Sequence, residues 1–187
     1  VIKEVPPEDE LPAVESNLTF VGLVGMMDPP RETVKESIKT CREAGIRPIM
    51  ITGDSLSTAT AIAKEIGIIQ EGTGVIEGKE LDKLSDEQLI KEVSKYSVYA
   101  RVQPEHKVRI VKAWQANNKV VAMTGDGVND APAIKLAHVG IGMGKTGTEV
   151  TKSVADVILV DDSFSTIVDA VGEGRKIYDN IRNGIIY

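Results

Sequence analysis

Apolar and polar positions follow two alternating periods along the chain, and this alternation predicts an α/β fold. Short runs of aliphatic residues predict buried strands, and each run is followed by a turn and then by apolar residues at helical spacing. The predicted strands comprise residues 18–27, 49–51, 97–100, 120–123, 139–143 and 157–160, with a shorter one near 75–76. Strands that alternate with helices favour a parallel sheet with helices on both faces.

Each predicted helix carries one apolar stripe and has a recognisable start or end. The helices are one that ends at Gly45, one that ends at Gly67, one that begins with a capping box at Ser85, one from Pro104 to about Gln115, one that opens near Asn129, and further helical stretches at 149–155, 164–173 and 174–187. Their stripes are Val34, Ile38 and Cys41; Ala59, Ile62, Ala63 and Ile66; Leu89, Ile90 and Val93; Val108, Val111 and Trp114; and Ile167, Val168 and Val171. Residues 68–83 are otherwise predicted to be irregular.

Length, hydrophobic content, net charge and cysteine count exclude several classes of protein. The 187 residues are 42% hydrophobic and 4% aromatic, which is enough for one domain with an aliphatic core. The formal net charge of −6 argues against a nucleic-acid partner. Cys41 is the only cysteine, so an internal disulfide is excluded and a reducing compartment fits. No apolar run approaches the roughly 18 residues of a membrane span.

Two carboxylates follow the strand at 120–123. The segment Thr124-Gly-Asp-Gly-Val-Asn-Asp-Ala-Pro132 first makes a turn and then opens a helix, with Asn129 as a candidate cap. Asp126 and Asp130 are therefore predicted at the carboxyl end of a strand, the edge where open α/β sheets bind ligands. Two carboxylates suit Mg²⁺, which usually binds together with phosphate. The plainer interpretation is a tight turn with solvated aspartates.

A second strand–Thr-Gly-Asp–helix unit favours the functional interpretation. The strand at 49–51 runs into Thr52-Gly53-Asp54 before the next helix. A hydroxyl, exposed backbone N–H groups and a helix N-terminus together form an anion-binding site. Lys107 lies in the first turn of its helix, where the helix dipole disfavours a cation. At the mouth of this sheet, we interpret Lys107 as the cation that faces a phosphate.

Other polar residues receive structural interpretations. His106 is interpreted as a surface or hydrogen-bonded histidine without a role in the site, and Trp114 as a core residue. Asp161 and Asp162 end the last predicted strand. They could be site ligands, but capping of the helix that follows is the favoured role.

These residues resemble the phosphorylation domain of P-type cation-transporting ATPases, within the haloacid dehalogenase-like fold, from about Leu18 to Tyr187. The most specific segment is Met123-Thr-Gly-Asp-Gly-Val-Asn-Asp-Ala-Pro132. Further matching segments are Asp28-Pro-Pro-Arg31, Ile51-Thr-Gly-Asp54, Ala100-Arg-Val-Gln-Pro-Glu-His-Lys107 and Ile177-Tyr-Asp-Asn-Ile181. Within the family, residues 78–85 and 147–152 are most similar to Ca²⁺-transporting pumps. The resemblance implies a Rossmann-like parallel sheet with helices on both faces.

The resemblance also implies a metal and phosphate site. Asp126 resembles the Mg²⁺-binding aspartate of the family, with Asp130 as its companion at the same site. Thr52, Gly53 and Asp54 resemble the loop that holds the terminal phosphate and the surroundings of its Mg²⁺ ion.

The remaining matches concern the transferred group and the nucleotide. Lys107 resembles the lysine that neutralises the transferred phosphoryl group, and Arg101 and Asn129 resemble nucleotide contacts. The implied cofactors are therefore Mg²⁺ and ATP. Phosphoryl transfer depends mostly on positioning and charge neutralisation, which a lysine, a hydroxyl and backbone N–H groups supply.

One element of the family pattern is missing from this sequence. The family takes the phosphoryl group from ATP on the aspartate of an Asp-Lys-Thr-Gly motif, which does not occur here. The resemblance implies a linker from the preceding nucleotide-binding domain at 1–17, the C-terminal portion of the phosphorylation domain at 18–174, and the start of a helix leading to the membrane domain at 175–187. The expected partners are the nucleophile strand and the nucleotide-binding, actuator and membrane domains of the same pump, together with the transported cation.

The leading hypothesis is thus a cytosolic segment of a multi-pass membrane pump that couples ATP hydrolysis to cation transport, with Ca²⁺ favoured. The isolated chain is expected to be inactive without the nucleophile and unstable without the central strand. A soluble phosphatase of the same fold is an alternative, although such enzymes use an Asp-x-Asp motif that is absent here. A catalytically dead phosphate- or nucleotide-binding module is a third interpretation.

Overall fold

The computed structural model describes residues 19–22, 24, 30 and 32–186, in which helices and strands alternate. The strands are β1 (Met50–Ile51), β2 (Gly74–Glu77), β3 (Tyr96–Ala100), β4 (Ala122–Gly125), β5 (Val139–Met143) and β6 (Val157–Leu159). The helices are α1 (Glu32–Glu43), α2 (Leu56–Glu65), α3 (Gly78–Leu81), α4 (Asp86–Glu92), α5 (Pro104–Ala116), α6 (Ala131–Leu136), α7 (Glu149–Val154) and α8 (Phe164–Ile186), with 3-10 turns at Val93–Lys95 and Val128–Asp130. Within this part of the chain, every helix is too short or too polar to cross a membrane.

The strands form two three-stranded parallel sheets. The first has the order β1-β3-β2 and the second the order β4-β5-β6. Met50 is in register with Val98, and Met123 with Gly140. On their outer edges, β1 and β4 pair with no other strand of the described residues. A single sheet is therefore not formed here, because nothing in the described chain bridges these two edges.

Helices cover both faces of the first sheet, as predicted. Successive side chains of a strand point to opposite faces, and β3 shows the consequence. Val98 and Ala100 pack against Ile38 of α1 and Ala59 of α2. Tyr99, between them, packs on the other face against residues of α4 and α5. Val98, Ala100 and Tyr99 are all completely buried, so this strand is the centre of the core.

Helix α5 joins the two sheets. Ile110 belongs to the core cluster of the first sheet, whereas the adjacent Val111 packs with Met123 and Ile134 beside the second. Ile51 of β1 contacts both clusters. The first turn of α5 is consequently held between the carboxyl ends of β1 and β4.

The predicted helix boundaries at Gly45, Gly67, Ser85 and Pro104 are confirmed. The hydroxyl of Ser85 accepts the backbone N–H of Gln88, and the Gln88 side chain accepts the N–H of Ser85. Gly45 and Gly67 follow their helices with φ of +75° and +82°, a conformation that favours glycine. Pro104 is the first residue of α5.

Several predicted elements need correction. The strand predicted at 120–123 begins at Ala122 instead, and Val120 is 82% exposed. The strand predicted at 49–51 is limited to β1, which is only half-buried. Both strands lie at sheet edges, where pairing and cover are available on one side only. The segment predicted to be irregular contains the short helix α3.

The two ends of the described chain also differ from expectation. Residues 19–22 and 24 of the strand predicted at 18–27 are not in a strand, and Phe20 is exposed, because no described strand lies beside them. The rest of that segment and the proposed linker at 1–17 fall outside the described residues. The two helices predicted beyond residue 164 are one helix, α8, which runs through its glycines.

Candidate functional site

The turn after β4 is closed by the side chain of Asp130. This residue is only 7% exposed, whereas Asp126 is exposed. Oδ2 of Asp130 accepts the backbone N–H groups of Asp126 and Gly127 at 3.4 and 3.2 Å. A Cβ atom at Gly125 would collide with the Asp130 side chain, so this position requires glycine. Asp130 thereby holds the backbone that carries Asp126.

Lys107 reaches the same carboxylate from the first turn of α5. Its Nζ donates to Oδ1 of Asp130 at 2.5 Å. The two side chains are 18% and 10% exposed, and partly buried charges need such a partner. The structure therefore brings Lys107, Asp126 and Asp130 together at the carboxyl end of β4.

Asp126 and Asn129 both face outward. Among the described residues, no side chain forms an ion pair or hydrogen bond with the Asp126 carboxylate. Asn129 is exposed within the 3-10 turn that precedes α6. The predicted capping role of Asn129 is wrong, because this turn moves the N-cap position to Asp130. Pro132 does lie in the first turn of α6, as predicted.

The Thr52-Gly53-Asp54 loop is a second group of predicted site residues. Oγ1 of Thr52 donates to Oδ2 of Asp54 at 3.0 Å and accepts the backbone N–H of Asp54 at 3.1 Å. The carbonyl of Thr52 accepts the N–H of Val102 at 3.3 Å, and that of Asp54 accepts the N–H of Arg101 at 3.0 Å. The loop is thus fixed against the turn that leads from β3 into α5.

Arg101 projects from that turn into an open groove beside the start of α2. The groove has a volume of ≈ 660 Å³. Its lining combines hydroxyls, two cations and one carboxylate: Ser55, Leu56, Ser57, Thr60, Ala61, Lys64, Glu77 and Arg101. Lys107, Asp126 and Asp130 do not line it. The predicted site residues hence form two groups, which β1, β3 and α5 connect.

His106 is hydrogen-bonded, one of the two interpretations drawn from the sequence, and it is buried and not at the surface. Its ring is 3% exposed; Nδ1 accepts the backbone N–H of Gln103 at 2.9 Å, and Nε2 lies 2.7 Å from Oδ1 of Asp82. Because Nδ1 accepts, Nε2 carries the proton and donates to Asp82. A Cβ at Gly78 would collide with this arrangement. His106 therefore anchors the turn of α5 that carries Lys107. Gln103-x-x-His106 lacks the Ser/Thr-x-x-Glu/Gln pattern of a capping box, so the sequence held no signal of this contact.

The aspartates at the end of β6 have different roles. Asp161 contacts the start of α8: its Oδ1 accepts the backbone N–H of Ser163, the residue before the helix, at 3.1 Å, and its Oδ2 accepts the hydroxyl of Thr166 at 2.6 Å. Asp162 instead accepts the backbone N–H groups of 144–146 at 2.7, 3.0 and 2.8 Å. These bonds, that of Lys145 foremost, lower the pKa of Asp162 to about 2. Capping is thus wrong for Asp162, which fastens the loop after β5.

Comparison with known proteins identifies the family. A family model described as haloacid dehalogenase-like hydrolase matches residues 3–138. The chain belongs to the haloacid dehalogenase-like hydrolases. Calcium-transporting ATPase 1 of Bacillus cereus is 57% identical over 93% of the chain, and calcium-transporting ATPase type 2C member 1 of Homo sapiens is 51% identical over 89%. The resemblance to cation-transporting ATPases is therefore confirmed.

Structural comparison gives the same fold. The catalytic domain of the CPx-ATPase CopB-B, solved in a study of conformational changes on nucleotide binding, matches 78% of this chain and 46% of that structure with a TM-score of 0.58 and 30% identity. The chain spans about a fifth of the length of its calcium-transporting relatives: 20% of the Bacillus cereus protein and 18% of the human one.

The carboxylate oxygens in the turn after β4 of this haloacid dehalogenase-like chain suit Mg²⁺. The described residues contain no group of three His, Cys, Asp or Glu side chains placed to hold a metal. Mg²⁺ needs fewer protein ligands, since it keeps several waters and phosphate oxygens. The exposed Asp126 carboxylate fits such a ligand. Both oxygens of Asp130 accept hydrogen bonds, and a carboxylate has further lone pairs, so the predicted companion role of Asp130 stays a prediction.

Proposed function

We propose that this chain is the phosphate- and Mg²⁺-binding part of a P-type cation-transporting ATPase, a membrane pump that couples ATP hydrolysis to ion transport through an aspartyl phosphate. The observation that carries the proposal is the pairing of Lys107 with Asp130 beside the exposed Asp126. The named relatives support Ca²⁺ as the transported ion. The proposed location of the whole protein is the cell membrane, with this segment in the cytosol.

Lys107 and Asp126 act on the transferred group in this proposal. The ammonium of Lys107 exchanges its bond to Asp130 for a phosphoryl oxygen and neutralises charge there. Asp126 holds Mg²⁺, which would supply further neutralisation of the phosphoryl oxygens when bound. Asp130 keeps the turn closed throughout, since its Oδ2 bonds to Asp126 and Gly127 do not involve Lys107.

The Thr52-Gly53-Asp54 loop is proposed to hold the terminal phosphate and the surroundings of its Mg²⁺ ion. The hydroxyl of Thr52 now donates to Asp54 and would turn to a phosphoryl oxygen, assisted by the exposed backbone of Gly53. Asp54 would then face the metal environment. Arg101, with its groove at the N-terminus of α2, and the exposed Asn129 are proposed nucleotide contacts.

The proposed nucleophile comes from another segment of the same protein. The outer edges of β1 and β4 carry backbone groups without strand partners among the described residues, and a strand between them would join the two sheets. We place residues 18–174 in the phosphorylation domain, between a linker at 1–17 and a membrane-directed helix at 175–187. The other proposed partners are the nucleotide-binding, actuator and membrane domains.

Brief incubation of the intact protein with labelled ATP and Mg²⁺ tests this function. The expected result is acid-stable, hydroxylamine-labile phosphate that requires micromolar Ca²⁺, because an acyl phosphate is cleaved by hydroxylamine. Labelling that requires another cation would keep the mechanism and reject Ca²⁺. Absence of labelling with any cation would reject the pump and favour a phosphatase of the same fold or a binding module.

A further inference from the structure

Thr151 contacts the Asp126 turn from the first turns of α7. It is fully buried, with 0% exposure, and its Oγ1 donates to the carbonyl oxygen of Gly127 at 3.0 Å. Oγ1 of Thr148 lies 2.9 Å from the same hydroxyl and accepts the backbone N–H of Thr151 at 3.3 Å. A carbonyl oxygen only accepts, so the proton of Thr151 points to Gly127 and Thr148 donates to Thr151.

A second bond from the same helix start holds the neighbouring peptide. The backbone N–H of Thr148 donates to the carbonyl oxygen of Asp126 at 2.9 Å. The position of Thr148 is itself fixed, since a Cβ at Gly147 would collide with the carbonyl of Met143. The end of β5 therefore sets where α7 meets the turn.

Together with Asp130, these contacts satisfy all four backbone groups of Asp126 and Gly127. Oδ2 of Asp130 accepts both N–H groups. The carbonyl of Asp126 accepts the N–H of Thr148, and that of Gly127 accepts the Thr151 hydroxyl and the N–H of Asp130 at 2.9 Å. The backbone of Asp126 is therefore more constrained than its exposed side chain. A carboxylate carried by such a constrained backbone loses little conformational entropy when it binds a metal ion.

We propose that Thr151 is a positioning residue for the metal-binding turn: its buried hydroxyl fixes the Gly127 peptide and thereby pre-places the Asp126 carboxylate. The proposal depends on the proposed function for the identity of the metal, but the anchoring of the turn does not. Valine matches threonine in shape and removes the hydroxyl bond, so the Gly127 carbonyl keeps only the backbone N–H of Asp130 at 2.9 Å. Serine keeps the hydroxyl and loses only a methyl group.

The test compares Thr151→Val and Thr151→Ser in the intact protein. Ser153→Ala is the control, because the Ser153 hydroxyl donates to the carbonyl of Val150 within the same helix. Hydrogen exchange of the 124–130 amides, without ATP, is one readout. The expected result is exchange about fivefold faster for Thr151→Val, the effect of one lost buried hydrogen bond, and unchanged exchange for the other two variants. Exchange in β3 serves as the measure of an intact fold.

The second readout is the Mg²⁺ concentration for half-maximal phosphorylation by ATP. Thr151→Val should raise it by about fivefold while the rate at saturating Mg²⁺ stays near that of the unsubstituted protein. Unchanged exchange at 124–130, or an equal loss of rate at every Mg²⁺ concentration, would overturn the proposal. If the proposed function is wrong, the unsubstituted protein forms no phosphoenzyme. The role of Thr151 is then decided only by the difference in hydrogen exchange at 124–130 between Thr151→Val and Thr151→Ser.

Discussion

Nζ of Lys107 lies 2.5 Å from Oδ1 of Asp130, so the cation proposed to face a phosphoryl group is paired with a carboxylate in the structure described here. The pair joins the first turn of α5 to the turn after β4. It keeps a partly buried ammonium satisfied while no anion is bound. An incoming phosphoryl group has to compete with one oxygen of Asp130, whose other oxygen remains on the backbone of the turn.

Replacement of Lys107 by Met should slow phosphorylation by ATP by about 100-fold or more, because a preplaced cation at a transferring phosphoryl group is worth several kcal/mol. The rate of labelled phosphate incorporation measures this effect. Lys112→Met is the matched control, since Lys112 is exposed on the same helix, and its rate should be unchanged. Equal rates for both variants would remove Lys107 from the chemistry.

Substitution of the two aspartates in the turn after β4 should have different effects. Asp126→Asn should raise the Mg²⁺ requirement for phosphorylation and leave hydrogen exchange of the turn unchanged, because the carboxylate is exposed. Asp130→Asn should accelerate exchange at 124–130, since it removes the charge that Lys107 and two backbone N–H groups bind; loss of such bonds costs about 2 kcal/mol.

A double substitution separates the contribution of the Lys107–Asp130 contact from that of the other bonds of Asp130. In Asp130→Asn combined with Lys107→Met, the unpaired ammonium is gone, so the double variant should be more stable than the sum of the single effects predicts. Additive effects would show that the 2.5 Å contact contributes nothing to stability.

The edges of β1 and β4 that pair with no described strand give a prediction about the 187-residue chain alone. Backbone amides of β3, which is flanked by β1 and β2, should exchange more slowly than those of β1 and β4. The chain should also incorporate no phosphate from ATP. A peptide that carries the missing Asp-Lys-Thr-Gly strand should slow exchange in β1 and β4 together. Strong protection of both strands without the peptide, or phosphate on the chain alone, would contradict the missing-strand account.

Local signals in the sequence predicted the elements that surround the site. Apolar runs precede Thr52 and Asp126, a capping box begins at Ser85, and a proline stands at 104. Each is a local signal, and its element begins within two residues of the predicted position. The edge position of β4 and the exposure of Val120 depend on what lies beside the strand, which local pattern does not contain.

Long-range hydrogen bonds explain what the sequence could not predict within the site. Thr151 reaches Gly127 across 24 positions, and His106 reaches Asp82 across 24. Nothing in the residues around Thr151 distinguishes its hydroxyl from that of an ordinary helix threonine. The same capping role was predicted for the adjacent Asp161 and Asp162. That role is wrong for Asp162, because the fold places it beside residues 144–146.

The loop after β5 should loosen in acid because of Asp162. Its pKa is about 2, below the ordinary 3.8, so its bonds to 144–146 stabilise the folded loop fully above about pH 4 and are lost as the pH falls toward 2. Hydrogen exchange at 144–146, corrected for intrinsic rates, should accelerate over that range. Asp162→Asn should remove the pH dependence. Asparagine suits the test because it tolerates the φ of +55° at this position.

The most direct test of the phosphate and metal site is hydrogen exchange of the intact protein with Mg²⁺ and beryllium fluoride, which mimics an aspartyl phosphate. The account predicts slower exchange in both loops, 52–54 and 124–130, only when Mg²⁺ and the fluoride are present together, and no such response in Lys107→Met. Unchanged exchange in the 124–130 turn of the unsubstituted protein, with protection elsewhere in the phosphorylation domain, would contradict the assignment of Lys107, Asp126 and Asp130 to this site.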